Sequence, residues 1–384
     1  MFHRRFERDT RTRRRAAYDF GQALTNGFDR LFRTDALVKA DRTPYEVIHQ
    51  KGLLKLRYYP PLQDRHIQVG DDTLRVAETR HRTPIVLVPP LAASTLIFDL
   101  LPERSLVRFL LAQGYPVYLV DFGEPHRAHA HYGVREYTTQ LLPSALEAAR
   151  AHSGEQDITL FGYCMGGLFA LIYAGVTGDP HIRNLVTVAS PIDMHDSTLA
   201  AKVLELLNYP TYLVRRYTPF RVHDLNPRYL QMPGWANSLM FKMTNPVGSL
   251  MTYWDLLIHL ADREYVEVHT TTSRWFDRML DYPGGIVQDF FIKVGLDNAL
   301  ATGRIQFGDS EADFQRVSCA LLAIAGRSDT LVGEGSARRV MDVVNSNDKR
   351  FQMADGGHAG VFAGGKAPRS TWRIVAEWLE SRSD

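Results

Sequence analysis

The chain has 384 residues, 45% hydrophobic and 23% charged, the balance of a globular protein that can hold one large domain or a core with an insertion. Its formal net charge of +2 gives no general case for nucleic acid, and two cysteines, Cys164 and Cys319, argue against a disulfide-built secreted fold. The uncharged run Thr83 to Phe98 is broken by Pro89-Pro90 and falls short of the ~20 apolar residues a membrane span needs, and a cytoplasmic protein with no transmembrane span is expected.

Basic charge gathers at the N-terminus in Arg4, Arg5, Arg8, Arg11, Arg13, Arg14 and Arg15. The stretch lacks the apolar segment and cleavage site of a signal peptide. Phe20, Leu24, Phe28, Leu31 and Phe32 then follow helical spacing. Residues 1–42 are read as a basic arm and an amphipathic helix. The helix either packs on the chain's own core or meets an anionic or apolar surface or a partner.

Strand-forming residues on both sides of Gly52 predict a hairpin over Tyr45 to Tyr59, ended by Pro60-Pro61. A second short pair is expected at His66 to Val69 and Thr73 to Val76. From here strands and helices alternate. Strands are expected at Ile85 to Val88, Val117 to Val120, 157–161, Leu185 to Ala189, Ala320 to Ala325 and Arg350 to Met353. Helices are expected at Glu103 to Gln113, Arg135 to His152 (interrupted by Pro143), after the 157–161 strand to about Val176, at Ser336 to Val344 and at Thr371 to Ser381. Such alternation builds an α/β fold with a mostly parallel sheet covered by helices on both faces, and ligands bind there at the carboxyl ends of the strands.

Residues 196–300 break the alternation. They are rich in aromatics and Met, including Trp235, Met240, Phe241, Met243, Trp254, Trp275 and Phe290, and read as a mainly helical insertion. The expected core is therefore 43–195 with 301–384, and 196–300 is a cap over the site, a dimer surface or extra core.

One stretch carries the chemistry. Asp157 to Phe161 is a short apolar strand, Gly162-Tyr163-Cys164-Met165-Gly166-Gly167 is a turn, and Leu168 onward is helical. This is the strand–turn–helix context of a nucleophile elbow, with Cys in the nucleophile position. Small residues let the turn close, and the sulfur sits at a helix N-terminus, where dipole and free N–H groups favour a thiolate. The bland alternative is a small buried thiol. Cys319, in the apolar run Val317 to Ile324, is read as that structural kind.

A cysteine nucleophile needs a base, and the base an orienting group. In this architecture the order is nucleophile, acid, histidine. His358, in Asp355-Gly356-Gly357-His358-Ala359-Gly360, is the only histidine after residue 269. Asp329, in Gly326-Arg327-Ser328-Asp329-Thr330 after the Leu321 to Ala325 strand, is the candidate acid, with Asp355 a competitor. The oxyanion hole should combine the N–H of Met165 with one from the Val88-Pro89-Pro90-Leu91-Ala92 loop. Prolines have no N–H to give, which leaves Leu91, with Ala92 as fallback. His126, His129 and His131 cluster in a predicted loop and are read as solvated rather than metal-binding. No nicotinamide or phosphate-loop motif is present, and neither cofactor nor metal is expected.

From about Thr43 to Trp378 the chain resembles the polyhydroxyalkanoate synthases, in particular the short class III catalytic subunit. The resemblance lies in Asp99-Leu100-Leu101-Pro102-Glu103-Arg104-Ser105-Leu106-Val107-Arg108, the elbow, Arg183-Asn184-Leu185-Val186-Thr187, Ser190-Pro191-Ile192-Asp193, Met232-Pro233-Gly234 and Gly356-Gly357-His358. It implies an α/β-hydrolase fold with Cys164, Asp329 and His358 as a triad. It implies transfer of 3-hydroxyacyl groups from coenzyme A thioesters, through the cysteine, to a growing polyester. It further implies a homodimer, a second synthase subunit and residence on polymer granules. The chain departs from the family pattern at Thr330, where His is usual, at Ala92 to Thr95, where Asn and an aromatic are usual, and at Phe122, where Trp is common. A cysteine-dependent esterase, thioesterase or acyltransferase, and a non-catalytic granule protein, are the alternative readings.

Overall fold

The computed structural model describes residues 19–196, 216–218, 225–243 and 246–384. The arginine-rich arm and the first part of the 196–300 insertion lie outside the described residues.

Eight strands form the central sheet: β1 (Glu46–Lys51), β2 (Leu54–Tyr59), β3 (Ile85–Val88), β4 (Val117–Asp121), β5 (Ile158–Tyr163), β6 (Ile182–Val188), β7 (Ala320–Gly326) and β8 (Lys349–Ala354). Their order is β1-β2-β4-β3-β5-β6-β7-β8. β1 and β2 form the expected antiparallel hairpin, and β2 pairs antiparallel with β4. All other neighbours are parallel. Buried strands read as continuous apolar runs because alternate residues serve two cores. Val86 and Val88 of β3 face one core, Ile85 and Leu87 the other. Leu321 and Ala323 of β7 divide from Leu322 and Ile324 in the same way. Each fully buried side chain of this size contributes roughly 1.5–3 kcal/mol, so the sheet interior fixes the strand register.

Three helices differ from the sequence reading. The helix expected from Glu103 begins at Leu106 and runs to Ala112. Arg104–Ser105 instead pairs with Asp99–Leu101, and the Ser105 side chain caps the helix by accepting from Arg108 N at 3.1 Å. The helix expected over Arg135 to His152 is α-helical at Val134–Glu136, widens to a π-turn at Tyr137–Leu141, then continues as Leu142–Ser153. Pro143 has no N–H to offer the preceding turn, and the wider turn, with Leu142 N bonded to Tyr137 O, accommodates it. The segment expected as Ser336 to Val344 is two short helices, Glu334–Arg338 and Val340–Val343.

The helix at 19–32 exists, and its polar side is fastened to the insertion. Asn26 Nδ2 donates to Leu260 O at 2.9 Å, Arg263 pairs with Asp29 at 2.6 Å, and Leu37 clusters with Leu256 and Val266. Phe20, Leu24, Phe28, Leu31 and Phe32 remain exposed.

The described part of the insertion is mainly helical: Gly234–Met243, Pro246–Ile258, Arg263–Asp277 and Gly284–Asp289, the last continuing as a π-turn over Phe290–Leu296. Ile286 and Val294 enter one core beside the sheet, and Trp275 the other. Beyond it a hairpin, Arg304–Phe307 with Ser310–Asp313, sets Ile305, Phe307 and Ala312 into the core that also holds the Met165–Thr177 helix. Sequence reading gave no element there.

Candidate active site

Three strand ends converge. β5 ends at Tyr163, and Cys164 follows with φ 52° and ψ −120°, a backbone region that costs a non-glycine residue on the order of 1–3 kcal/mol. Hydrogen bonds hold the turn. Cys164 N donates to Val188 O at 2.8 Å, and Cys164 O accepts from Gly167 N at 3.1 Å. A Cβ on Gly166 would drive into the carbonyl of Val88, so only glycine lets the end of β3 lie against the start of the helix. Met165 is the first residue of that helix, where an N–H has no partner within the helix.

Asp329 lies just beyond β7, its side chain fully buried. Oδ1 accepts from Leu331 N and Val332 N, each at 2.9 Å. Oδ2 stands 2.9 Å from His358 Nδ1. His358 follows β8, with its side chain 8% exposed. Its carbonyl accepts from the Tyr163 hydroxyl at 3.1 Å, and its ring lies against the rings of Tyr163 and Phe241. With Nδ1 turned to the carboxylate, Nε2 is the nitrogen left for the sulfur.

Burial alone would lower the His358 pKa. The facing charge of Cys164, hydrogen bonds to Asp329 and Cys164, and the Asp329 charge outweigh it and raise the imidazole to about 10. The phenols of Tyr163 and Tyr282 are raised by burial and then by the charge of Cys164, and Tyr282 and Cys164 pack against the same core. Asp355, the competing acid, is exposed and faces Arg327 at 3.5 Å. The structure therefore brings Cys164, Asp329 and His358 together and leaves Asp355 out.

The Pro89–Ala92 loop is wedged between the elbow and the insertion. Pro89 approaches Gly166, Leu91 is buried, and Ala92 O accepts from Leu280 N at 2.8 Å. The loop that carries the candidate N–H of Leu91 is thus fixed next to the helix that carries Met165.

A cavity of about 790 Å³ reaches His358, bounded by Thr330 and Gly357 below and by Phe241, Tyr253 and His269 of the insertion above. Lys242 and Asp277 pair on its wall. Sequence reasoning missed Tyr163, Tyr282 and Phe241 as neighbours of the site. Tyr163 could have been flagged by its place beside Cys164. The other two come from the insertion and carry no local signal. The chemistry such a site supports is attack by a thiolate on a carbonyl, with the imidazole as proton carrier.

The alpha/beta hydrolase fold family profile matches residues 83–364. A poly(3-hydroxyalkanoate) polymerase subunit PhaC of Haloferax mediterranei is 28% identical over 348 residues, 90% of this chain and 66% of that protein. The PhaC subunit of Haloarcula marismortui is 27% identical over 347 residues, covering 90% of this chain and 69% of its own length. The PhaC subunit of Allochromatium vinosum is 24% identical over 367 residues, 95% of this chain and 96% of that protein. The chain thus spans about two thirds of the Haloferax and Haloarcula relatives and nearly all of the Allochromatium one.

Proposed function

The chain belongs to the alpha/beta hydrolase fold family and is a homologue of PhaC polymerase subunits over most of its length; we propose that it is a polyester synthase that moves 3-hydroxyacyl groups from coenzyme A thioesters to a growing chain. The observation that carries this reading is His358 paired with the Asp329 carboxylate at 2.9 Å and packed against Tyr163, the residue before Cys164.

The steps follow from that arrangement. Cys164 sulfur, its proton on His358, attacks the thioester carbonyl. The oxyanion forms against the N–H groups of Met165 and Leu91, and coenzyme A leaves as a thiol carrying the proton from His358. His358 then takes the proton of the hydroxyl at the end of the polyester chain. That oxygen attacks the acyl-cysteine, the new ester forms, and the Cys164 thiolate is released. Splitting one acyl transfer into two lowers each barrier, and Asp329 stabilises the imidazolium of both steps. We read residues 196–300 as a cap whose apolar wall keeps water from the acyl-enzyme.

Exposed apolar residues of the 19–32 helix and of Gly234–Met243 and Pro246–Ile258, among them Trp235, Met240, Leu250 and Trp254, support a surface for a second copy or a second synthase subunit at the polymer granule. A cytoplasmic site of action goes with that reading. Among the described residues no helix is long and apolar enough to cross a membrane.

The test is purified protein with 3-hydroxybutyryl coenzyme A, alone and with the neighbouring gene products, following thiol release and product size. Polymer is expected. Free acid in place of polymer would make the protein a thioesterase, and wild-type rates from Cys164→Ser would refute the nucleophile.

A further inference from the structure

The Pro125-His126-Arg127-Ala128 stretch lies apart from Cys164, Asp329 and His358 and forms one wall of a second cleft, about 1040 Å³ in volume. Arg228, Tyr229 and Gln231 form the opposite wall, and Asp281 its floor. The two walls are locked together. Pro227 packs its carbonyl where Gly284 has no side chain, Gly285 N donates to Ala130 O at 2.9 Å, and Gln288 Nε2 donates to Leu225 O at 2.9 Å.

The chemistry of the cleft is unbalanced. Arg127 and Arg228 are exposed, and among the described residues neither guanidinium pairs with a carboxylate. Asp281 is occupied by Gly234 N at 2.7 Å and Gln231 Nε2 at 3.3 Å. Tyr229 is 85% exposed, an unusual waste of a large ring unless something stacks on it. The cleft borders the segment that reaches the elbow. Asp281 adjoins Tyr282, which packs against the same core as Cys164, and Leu280 N donates to Ala92 O of the Pro89–Ala92 loop. The 790 Å³ cavity has the opposite character. Phe241, Tyr253, Val268 and Phe276 line it and its lysine is paired, which suits an acyl or polyester chain.

We propose that the Arg127–Arg228–Tyr229 cleft docks the phosphorylated nucleotide end of the coenzyme A thioester. The guanidiniums pair with its phosphates, the Tyr229 ring stacks on adenine, and the pantetheine arm runs past Asp281 and Tyr282 to Cys164. The proposal rests on the acyl coenzyme A reading above.

The test compares Arg127→Ala/Arg228→Ala with wild type on two substrates that share one acyl group. These are 3-hydroxybutyryl coenzyme A and its N-acetylcysteamine thioester, which lacks the nucleotide. A rise of about tenfold in KM is expected for the first, with kcat/KM for the second within about twofold. Equal losses on both substrates, or none on either, overturn the proposal. A second arm needs no turnover and so separates this proposal from the catalytic reading. In Cys164→Ala, the double substitution should weaken free coenzyme A about tenfold and leave pantetheine unchanged. Adenosine 3′,5′-bisphosphate should compete with coenzyme A far better than inorganic phosphate. Unchanged coenzyme A binding, or phosphate competing equally well, overturns the site whether or not the wild type releases thiol.

Discussion

Oδ2 of Asp329 meets Nδ1 of His358 at 2.9 Å while its other oxygen is held by two backbone N–H groups. The carboxylate therefore cannot rotate without breaking three hydrogen bonds. It fixes which nitrogen of the imidazole carries the proton and where the other one points.

Asp329→Asn tests that coupling. Thiol release should fall on the order of 10⁴-fold. The His358 pKa is raised to about 10 from 6.5, so the stability it contributes is full below the unfolded value and lost as pH rises through the folded one. The asparagine variant has a smaller shift. Its stability deficit relative to wild type should therefore be largest near pH 6.5 and shrink toward pH 10, as read by urea titrations across that range.

Leu91→Pro removes one candidate oxyanion donor without altering the triad. A fall in kcat of about 10²–10³ with little change in KM is expected. Ala92→Pro should leave kcat near wild type. Steady-state kinetics of thiol release distinguish the two, and the reverse pattern would move the donor to Ala92.

Gly166→Ala places a methyl group against the carbonyl of Val88. Overpacking of backbone costs about 1–3 kcal/mol, and β3 must move away from the elbow. Lower urea midpoint and slower acylation should appear together, whereas unchanged values would mean the loop can yield.

Arg57 ties β2 to Asp121 at 2.7 Å and to Asp41 at 3.0 Å, with its side chain only 11% exposed. Arg57→Met leaves two partly buried carboxylates without their cation, at a cost of about 3 kcal/mol. Burial already raises the Asp41 pKa in the intact protein, and loss of Arg57 raises it further. A carboxyl raised in the folded state destabilises as pH rises through that value. The variant should recover stability as pH falls toward 3.8, measured by thermal melts from pH 7 downward.

The sheet was legible because its strands are short, apolar and bounded by turn residues, as in Ile85 to Val88 and Ala320 to Ala325. The pairing of Asp329 with His358 was legible because the chain order points to an acid after β7 and because only one late histidine competes. Helix details were less so, since the π-turn before Pro143 is a local compromise that periodicity does not encode. The Arg304–Phe307 hairpin carries only a short signal, alternating Ile305 and Phe307 before Gly308-Asp309, beside much longer elements. The approach of Tyr282 and Phe241 to the site was not readable. It arises from packing between segments more than 70 residues apart in sequence, and no local pattern records such contacts.

The chain has two thiols, and burial pushes the Cys319 thiol up to about 12. At pH 7.5 an alkylating reagent meets almost no thiolate there. One equivalent of label should consequently enter at Cys164, and mass spectrometry of the labelled peptide would count competent molecules in any preparation without altering a residue. The inert sulfur thereby makes the reactive one a built-in gauge of how much of a sample is intact.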